Sequence, residues 1–310
     1  MYPLLILTNS LYRIYAIFIY NFSKVVNYCY ANILEIFNIG VDRMDIKIVF
    51  SDIDGTFLTN DHKVTQKTIQ AVKSLISQNI QFGLVSARMP EAIYPIINKI
   101  NVKIPIISYS GALVLNEDQE VLCNMTIDSD STTNILNEIS NCWHDVTINY
   151  YAGHQWFIKN IDKRVENEMN ITEATAKVAD FNSLINQNIM PNKILVMCEP
   201  ETCKIMENQL SEKIQNINVV RSSDILLEIM DKSVSKAVGI DILLKHYGFN
   251  IENSLAFGDN YNDIEMLKFA GRGIAMGNAP MAVKNIADNV TSSNEDDGIY
   301  KYLTKVKLIL

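Results

Sequence analysis

The sequence predicts an α/β protein: a mainly parallel, doubly wound sheet with an α+β domain inserted into it. Three observations point there. Short β-branched and aromatic runs alternate with helix-spaced apolar patterns over residues 47–109, the rhythm breaks near Asn124, and it resumes from Ser235 to Thr291. Strand, helix, strand, helix, strand in that order lays the strands side by side in parallel with helices on their faces. The 310 residues suffice for two domains and a sizeable core, and 48% apolar with 20% charged residues is an ordinary globular composition. The expected division is 44–125 with 232–310 as the core domain, 126–231 as the insertion, and 1–43 as an N-terminal apolar extension.

Taken in order, residues 1–43 are rich in Ile, Tyr, Phe and Asn, and Asn9, Ser10 and Arg13 interrupt the apolar run of residues 3–20. A charge near the middle of a span is costly, no basic segment precedes the run, and no small-residue cleavage site is evident. Three readings stay open: an appended segment outside the fold, with Met44 as the working start; a membrane-associated helix; or a helix packed on the domain. From Lys47 to Phe50 runs the first strand, which stops at Asp52-Ile53-Asp54-Gly55-Thr56. Thr65 then caps a helix with apolar positions Ile69, Val72, Leu75, Ile76 and Ile80. Ile80–Val85 is a strand ending at Ser86-Ala87-Arg88, Pro90 opens a helix burying Ala92, Ile93, Ile96, Ile97 and Ile100, and Ile104–Tyr109 is the third strand. The insertion carries strands at Val146–Tyr151 and Gln155–Ile158, a hairpin around Gly153-His154, further strands at Lys193–Met197 and Leu226–Met230, and helices near 129–142, 161–170 and 200–214. Afterwards come a helix Ser235–His246 ended by Gly248, a strand Ser254–Phe257 stopping at Gly258-Asp259, a helix through Ile264, Leu267 and Ala270, and short strands at Gly273–Met276 and Asn289–Thr291 around a helix begun at Ala279-Pro280.

Composition excludes several functions. A net charge of −8 argues against nucleic acid as the main partner. Cys29, Cys123, Cys142, Cys198 and Cys203 show no Cys-x-x-Cys pair, so neither a disulfide framework nor a zinc site is expected, and a reducing, cytoplasmic setting fits. His62, His144, His154 and His246 are scattered singly. A calcium loop fails on spacing: with Asp52 as first ligand, Phe57 falls where glycine is needed and Lys63 where a bidentate glutamate is needed. Gly271, Gly273 and Gly277 do not have dinucleotide-fingerprint spacing.

The chemistry lies at the strand ends. Residues i and i+2 of a strand project to one side, so Asp52 and Asp54 can face one volume. A parallel sheet gathers the carboxyl ends of its strands along one edge, which would collect Asp52, Asp54, Asp259 and Asp263. That set is untenable without a cation, and an all-oxygen set suits magnesium beside a phosphate. A carboxylate left free can attack phosphorus, with a hydroxyl such as Ser86 and a fixed lysine such as Lys236 beside it. A solvated first-turn lysine and a plain helix N-cap are the competing roles for Lys236 and Ser86.

Asp52-Ile53-Asp54-Gly55-Thr56, Ser86, Lys236 in Val234-Ser235-Lys236-Ala237, and Gly258-Asp259-Asn260-Tyr261-Asn262-Asp263 resemble, in order and context, the four motifs of the haloacid dehalogenase-like hydrolases. The insertion is similar to the large α/β cap of the Cof-like phosphatases, and the resemblance covers about residues 45–305. It implies a Rossmann-like core and a Mg²⁺-dependent phosphatase acting on a small phosphorylated metabolite through an aspartyl-phosphate. A phosphomutase and a non-catalytic phosphometabolite-binding protein are the alternatives. The implied roles are Asp52 as nucleophile and Asp54 as general acid/base. Mg²⁺ is held by the Asp52 carboxylate, the Asp54 main-chain carbonyl and the Asp259 carboxylate. Ser86, Asn262, Gly55, Thr56 and Arg88 bind substrate, Lys236 neutralises Asp52 and the transferring group, and Asp263 supports the metal site or Lys236. Two positions depart from the pattern: Ala87 stands where glycine is common, and Ser110-Gly111-Ala112 where Asn-Gly-Ala is frequent. Periodicity does not place Tyr150, Tyr151, His154, Trp156 or Arg221 over the sheet edge.

Overall fold

The computed structural model describes residues 45–310. The expectations for residues 1–43 lie outside the described residues. The chain begins its first sheet with β1 (Ile48–Asp52), followed by a tight turn through Phe57, α1 (Gln66–Ser77), β2 (Gln81–Val85), α2 (Pro90–Ile100), β3 (Ile106–Ser108), β4 (Leu113–Leu115) and β5 (Val121–Asn124). A second series follows: α3 (Ser129–Cys142), β6 (Thr147–Ala152), β7 (Gln155–Ile158), α4 (Lys163–Thr172), β8 (Ala176–Val178), α5 (Phe181–Asn186), β9 (Lys193–Met197), α6 (Pro200–Lys213), β10 (Ile217–Ser223) and β11 (Leu226–Asp231). The first sheet is then completed by α7 (Lys236–Tyr247), β12 (Ser254–Gly258), α8 (Ile264–Phe269), β13 (Arg272–Ala275), α9 (Met281–Lys284), β14 (Asn289–Val290) and α10 (Gly298–Lys305).

Eight strands form the core sheet in the order β14-β13-β12-β1-β2-β3-β4-β5, parallel from β14 to β3 and antiparallel at β4 and β5. All five residues of β1 are buried, as a strand covered on both faces requires. Ile48 and Phe50 pack with Ile240, Leu243 and Leu244 of α7 and Met266 and Leu267 of α8, while α1 and α10 pack together elsewhere on the sheet. The register is what makes a site. Asp52 lies beside Val85, Ser51 beside Phe257, and Gly258 beside Ala275, so the chain leaves β1, β2, β12 and β13 at one level of one edge.

Six strands form the second sheet in the order β10-β11-β9-β6-β7-β8, mixed and mostly antiparallel. Its period-2 alternation sorts the side chains. Ile194 and Val196 of β9 and Leu227 and Ile229 of β11 join a core with Ile135, Phe181 and Met206 from α3, α5 and α6. Lys193 and Glu228 occupy intervening positions and form an ion pair outside that cluster.

Several expectations change. The buried face of α1 is Thr68, Ala71, Val72 and Leu75, with Ile69, Ile76 and Ile80 only partly covered. Cys198 and Cys203 are disulfide-bonded, because the end of β9 and the first turn of α6 bring their Cα atoms to 5.8 Å; the expectation of no disulfide fails at this pair. Among the described residues no helix is long and apolar enough to cross a membrane.

Candidate active site

The turn after β1 is built around Gly55, whose φ of +82° only glycine adopts without strain. It also has no room for a side chain, since a Cβ there would lie 2.4 Å from Asp259 Oδ2. Thr56 Oγ1 donates to Asp259 Oδ1 at 2.7 Å, and Asn278 Nδ2, just beyond β13, donates to the Gly55 carbonyl at 2.8 Å and to Asp259 Oδ2 at 3.3 Å. The β1 turn and the β12 turn are thereby locked to each other.

Ser235 caps α7, its Oγ accepting from Val238 N at 3.3 Å, and this sets Lys236 at the first helical position, facing the sheet edge. The solvated role is excluded: the Lys236 side chain is 1% exposed. Its Nζ donates to Asp52 Oδ1 and to Asp263 Oδ1, each at 2.6 Å. Asp263 Oδ2 in turn accepts from the Asp259 and Asn260 amides, both at 2.9 Å, so Asp263 fixes the lysine with one oxygen and the β12 turn with the other.

Carboxylate oxygens of Asp52, Asp259 and Asp263 lie within 4.8 Å of one another. Three carboxylates and one ammonium leave the centre at −2. The electrostatics register the shortfall: burial and then the neighbouring Asp263 push the Asp52 carboxyl up despite Lys236. Burial likewise pushes Asp259 up to about 6 against the hydrogen bond from Thr56, with Asp263 adding to the rise. For Lys236 burial works downward, but Asp263 and Asp52 overturn it and hold the ammonium firmly charged. A divalent cation matches the −2, and the donors are all oxygen, so the residues present fit magnesium.

Asp54 does not join the carboxylate cluster expected from sequence. Its carboxylate is forked by Arg88, with Nε 2.8 Å from Oδ2 and Nη2 2.6 Å from Oδ1, and it stays 47% exposed. Extended geometry would place Asp52 and Asp54 on one side, but the chain leaves the strand at Ile53. Ser86 is buried and is not the cap of α2, which begins after Met89; its Oγ accepts from Arg88 N at 3.1 Å. Asn262, Ser110, Ser235 and Lys236 line a cleft of about 420 Å³ whose opposite wall is Asn218, Arg221, Glu228 and Met230 from β10 and β11. Of the unplaced aromatics, Tyr150 and Trp156 are buried within the second sheet's unit, bonded to Ile189 O and Asn149 Oδ1. His154 meets Glu91 of α2 at 2.8 Å, and Tyr151 packs on Tyr109.

Asn278, Lys193 and Glu228 were missed. Asn278 had a signal, since it follows a fourth parallel strand ending at the same edge; the other two are isolated charges in mostly apolar strands.

The family model described as haloacid dehalogenase-like hydrolase matches residues 49–303. A provisionally named phosphatase of Haemophilus influenzae is 32% identical over 258 residues, 83% of this chain and 96% of that protein. The 5-amino-6-(5-phospho-D-ribitylamino)uracil phosphatase of Bacillus subtilis is 26% identical, covering 83% and 96%. In structure the chain is similar to a haloacid dehalogenase-like hydrolase from Bacteroides thetaiotaomicron, with a TM-score of 0.77 at 28% identity over 84% of this chain and 99% of that one. With most of its length matched and its four motifs converging on one sheet edge, the chain belongs to the haloacid dehalogenase-like hydrolases.

Proposed function

We propose that the protein is a magnesium-dependent phosphatase that hydrolyses small phosphorylated metabolites, sugar phosphates or related phosphomonoesters, through an aspartyl-phosphate on Asp52. As a member of its family the chain is a phosphoric monoester hydrolase; the metal, the intermediate and the substrate are this reading's own. The observation that carries it is the single buried lysine shared by two carboxylates, leaving the cluster of three short of positive charge by one divalent ion.

The Asp52 and Asp259 carboxylates and the Asp54 main-chain carbonyl would hold the ion. When bound, it would neutralise charge on the phosphoryl group and fix its orientation. Lys236 engages Asp52 Oδ1, which leaves the other oxygen to attack phosphorus. As the new Asp52–phosphorus bond forms, the bond to the leaving oxygen breaks and that oxygen takes the proton of Asp54. Water then attacks the aspartyl-phosphate, gives its proton to Asp54, and frees both phosphate and the Asp52 carboxylate. Asn262 and Ser86, with the backbone of Gly55 and Thr56, take the phosphoryl oxygens, and Lys236 balances their charge. The cleft beside Lys236, with an amide, a guanidinium and a carboxylate on its outer wall, has room for a sugar-sized leaving group. The Bacillus subtilis relative is named for a phosphorylated ribityl compound, which agrees in size and polarity.

Replacing Asp52 by Asn tests the reading. Phosphate release should fall by roughly 10³-fold or more while the thermal melt is kept, since the nucleophile is lost but no packing changes. Parental turnover by that variant would remove the aspartyl-phosphate. Product analysis should find free phosphate and not an isomeric ester.

A further inference from the structure

Lys193 opens β9 directly after the segment that ties the six-stranded unit to the core. Pro191 O accepts from Ile127 N at 2.8 Å, and Asn192 Nδ2 donates to Asn124 Oδ1 at 2.6 Å and to Met125 O at 2.7 Å. The lysine is 5% exposed. Burying an ammonium costs several kcal/mol unless it is compensated, and an apolar strand gains nothing from it. Its partners therefore indicate its use. Nζ donates to the Ala87 carbonyl at 2.7 Å, stands 3.7 Å from Glu228 Oε2, and lies 5.3 Å from the centre of the Tyr151 ring. Glu228 and Tyr151 are its own sheet's residues; the carbonyl belongs to the core loop that follows β2.

That loop governs Asp54. Ala87 sits between Ser86, assigned above to the phosphoryl oxygens, and Arg88, whose guanidinium forks the Asp54 carboxylate. Arg88 is tied on both sides of its own backbone, its N to Ser86 Oγ at 3.1 Å and its O to Ser108 Oγ at 2.5 Å. The peptide joining Ala87 to Arg88 thus makes a hydrogen-bonded link from the second sheet to the guanidinium, whose charge Glu168 of α4 also feels. Asp54 is 47% exposed; the exposed His62 stands 3.6 Å away and Glu168 of α4 feels its charge, but it is the Arg88 guanidinium that forks its carboxylate.

We infer that Lys193 is a positioning residue for proton transfer: it pins the Ala87 carbonyl, the pinned loop sets Arg88, and Arg88 aims Asp54 at the leaving oxygen. The inference rests on the acid/base role proposed for Asp54. Its consequence is selective. An alkyl ester needs the proton, because an alkoxide leaves poorly; a p-nitrophenyl ester does not.

The test compares kcat/KM for glycerol 1-phosphate and p-nitrophenyl phosphate, using the full chain with Mg²⁺. That constant reports transfer to Asp52, before water enters. In Lys193→Met the alkyl-to-aryl ratio should fall roughly 30-fold, a part of the about 10²- to 10⁴-fold that a positioned general acid contributes. Lys193→Arg, which keeps a donor, should restore most of the ratio. Arg88→Met should repeat the fall, and the double variant should be no worse than the worse single one. Equal losses on both esters, or independent losses that multiply in the double variant, would overturn the inference. Should Lys193→Met fail to fold, Lys193→Arg and Arg88→Met still decide it, because an unchanged ratio in Arg88→Met breaks the chain of contacts. Failure of the underlying reading looks different: Asp54→Asn would then leave the ratio untouched as well.

Discussion

Asp259 is held by a neighbour that has no side chain. Gly55 combines a φ of +82° with a Cβ position 2.4 Å from Asp259 Oδ2, so Gly55→Ala strains the backbone and pushes the Asp259 carboxylate aside at once. The substitution should cost about 1–3 kcal/mol in urea unfolding, and Mg²⁺ affinity measured by calorimetry should drop at least about tenfold. Unchanged Mg²⁺ affinity would separate Gly55 from the metal site. Ser110 makes the opposite case. It has a φ of +55°, a region in which Asn is enriched, so Ser110→Asn should raise stability by roughly 0.5 kcal/mol in the same assay. The strand-end residues were readable in the sequence because an apolar run halting at Asp52, Ser86 or Asp259 is a one-dimensional signal. Asp54's turn toward Arg88 was not, since it depends on where the chain leaves the strand. Lys236's burial was equally hidden, because a first-turn lysine reads the same whether its partners are water or Asp52 and Asp263.

The hairpin between β6 and β7 docks on the core through its turn. Tyr109 Oη donates to the Gly153 carbonyl at 2.8 Å, and His154 bonds Glu91 at 2.8 Å while its ring stacks on Tyr94. The Glu91 bond raises the His154 pKa above its ordinary 6.5, and Glu91 and Tyr94 of α2 are the titratable groups facing it. A raised histidine contributes stability that is fully present below the unfolded pKa and is lost as pH rises through the folded one. The seam should therefore be tightest below about pH 6.5 and loosen above it. Melting temperature should fall over that interval in the parent and fall less in His154→Asn; identical slopes would show that this pair does not hold the hairpin. Elements with caps and strong periodicity, such as α2 behind Pro90 and α7 between Ser235 and Gly248, were readable from sequence. Others carried no such pattern. In β5 no residue is fully buried, β8 has three residues, and β10 alternates only at Ile217 and Val219 before running exposed.

Across the whole molecule the site joins segments that are far apart in sequence, Asp52 to Asp259 and Lys236 to Asp52, so any ligand that neutralises it stabilises the entire body at once. Without a cation, the cluster of Asp52, Asp259, Asp263 and Lys236 carries −2 within a chain already at −8, and both Asp52 and Asp259 resist ionisation. A ligand bound only by the folded state adds RT ln(1 + [L]/Kd), about 2.7 kcal/mol at a hundredfold excess over Kd. For a body of this size that corresponds to a rise of roughly 5–10 °C in melting temperature on going from EDTA to saturating Mg²⁺. Asp259→Asn should abolish the rise while melting no lower than the parent does in EDTA, because the amide keeps the Thr56 contact and removes one repelling charge. Equal melting of the parent with and without Mg²⁺ would mean that the three carboxylates hold no divalent ion. Lys236→Met separates the ion from the lysine: it deepens the deficit to −3, so it should lower the melt in EDTA far more than in Mg²⁺, whereas a lysine serving only as packing would lower both alike.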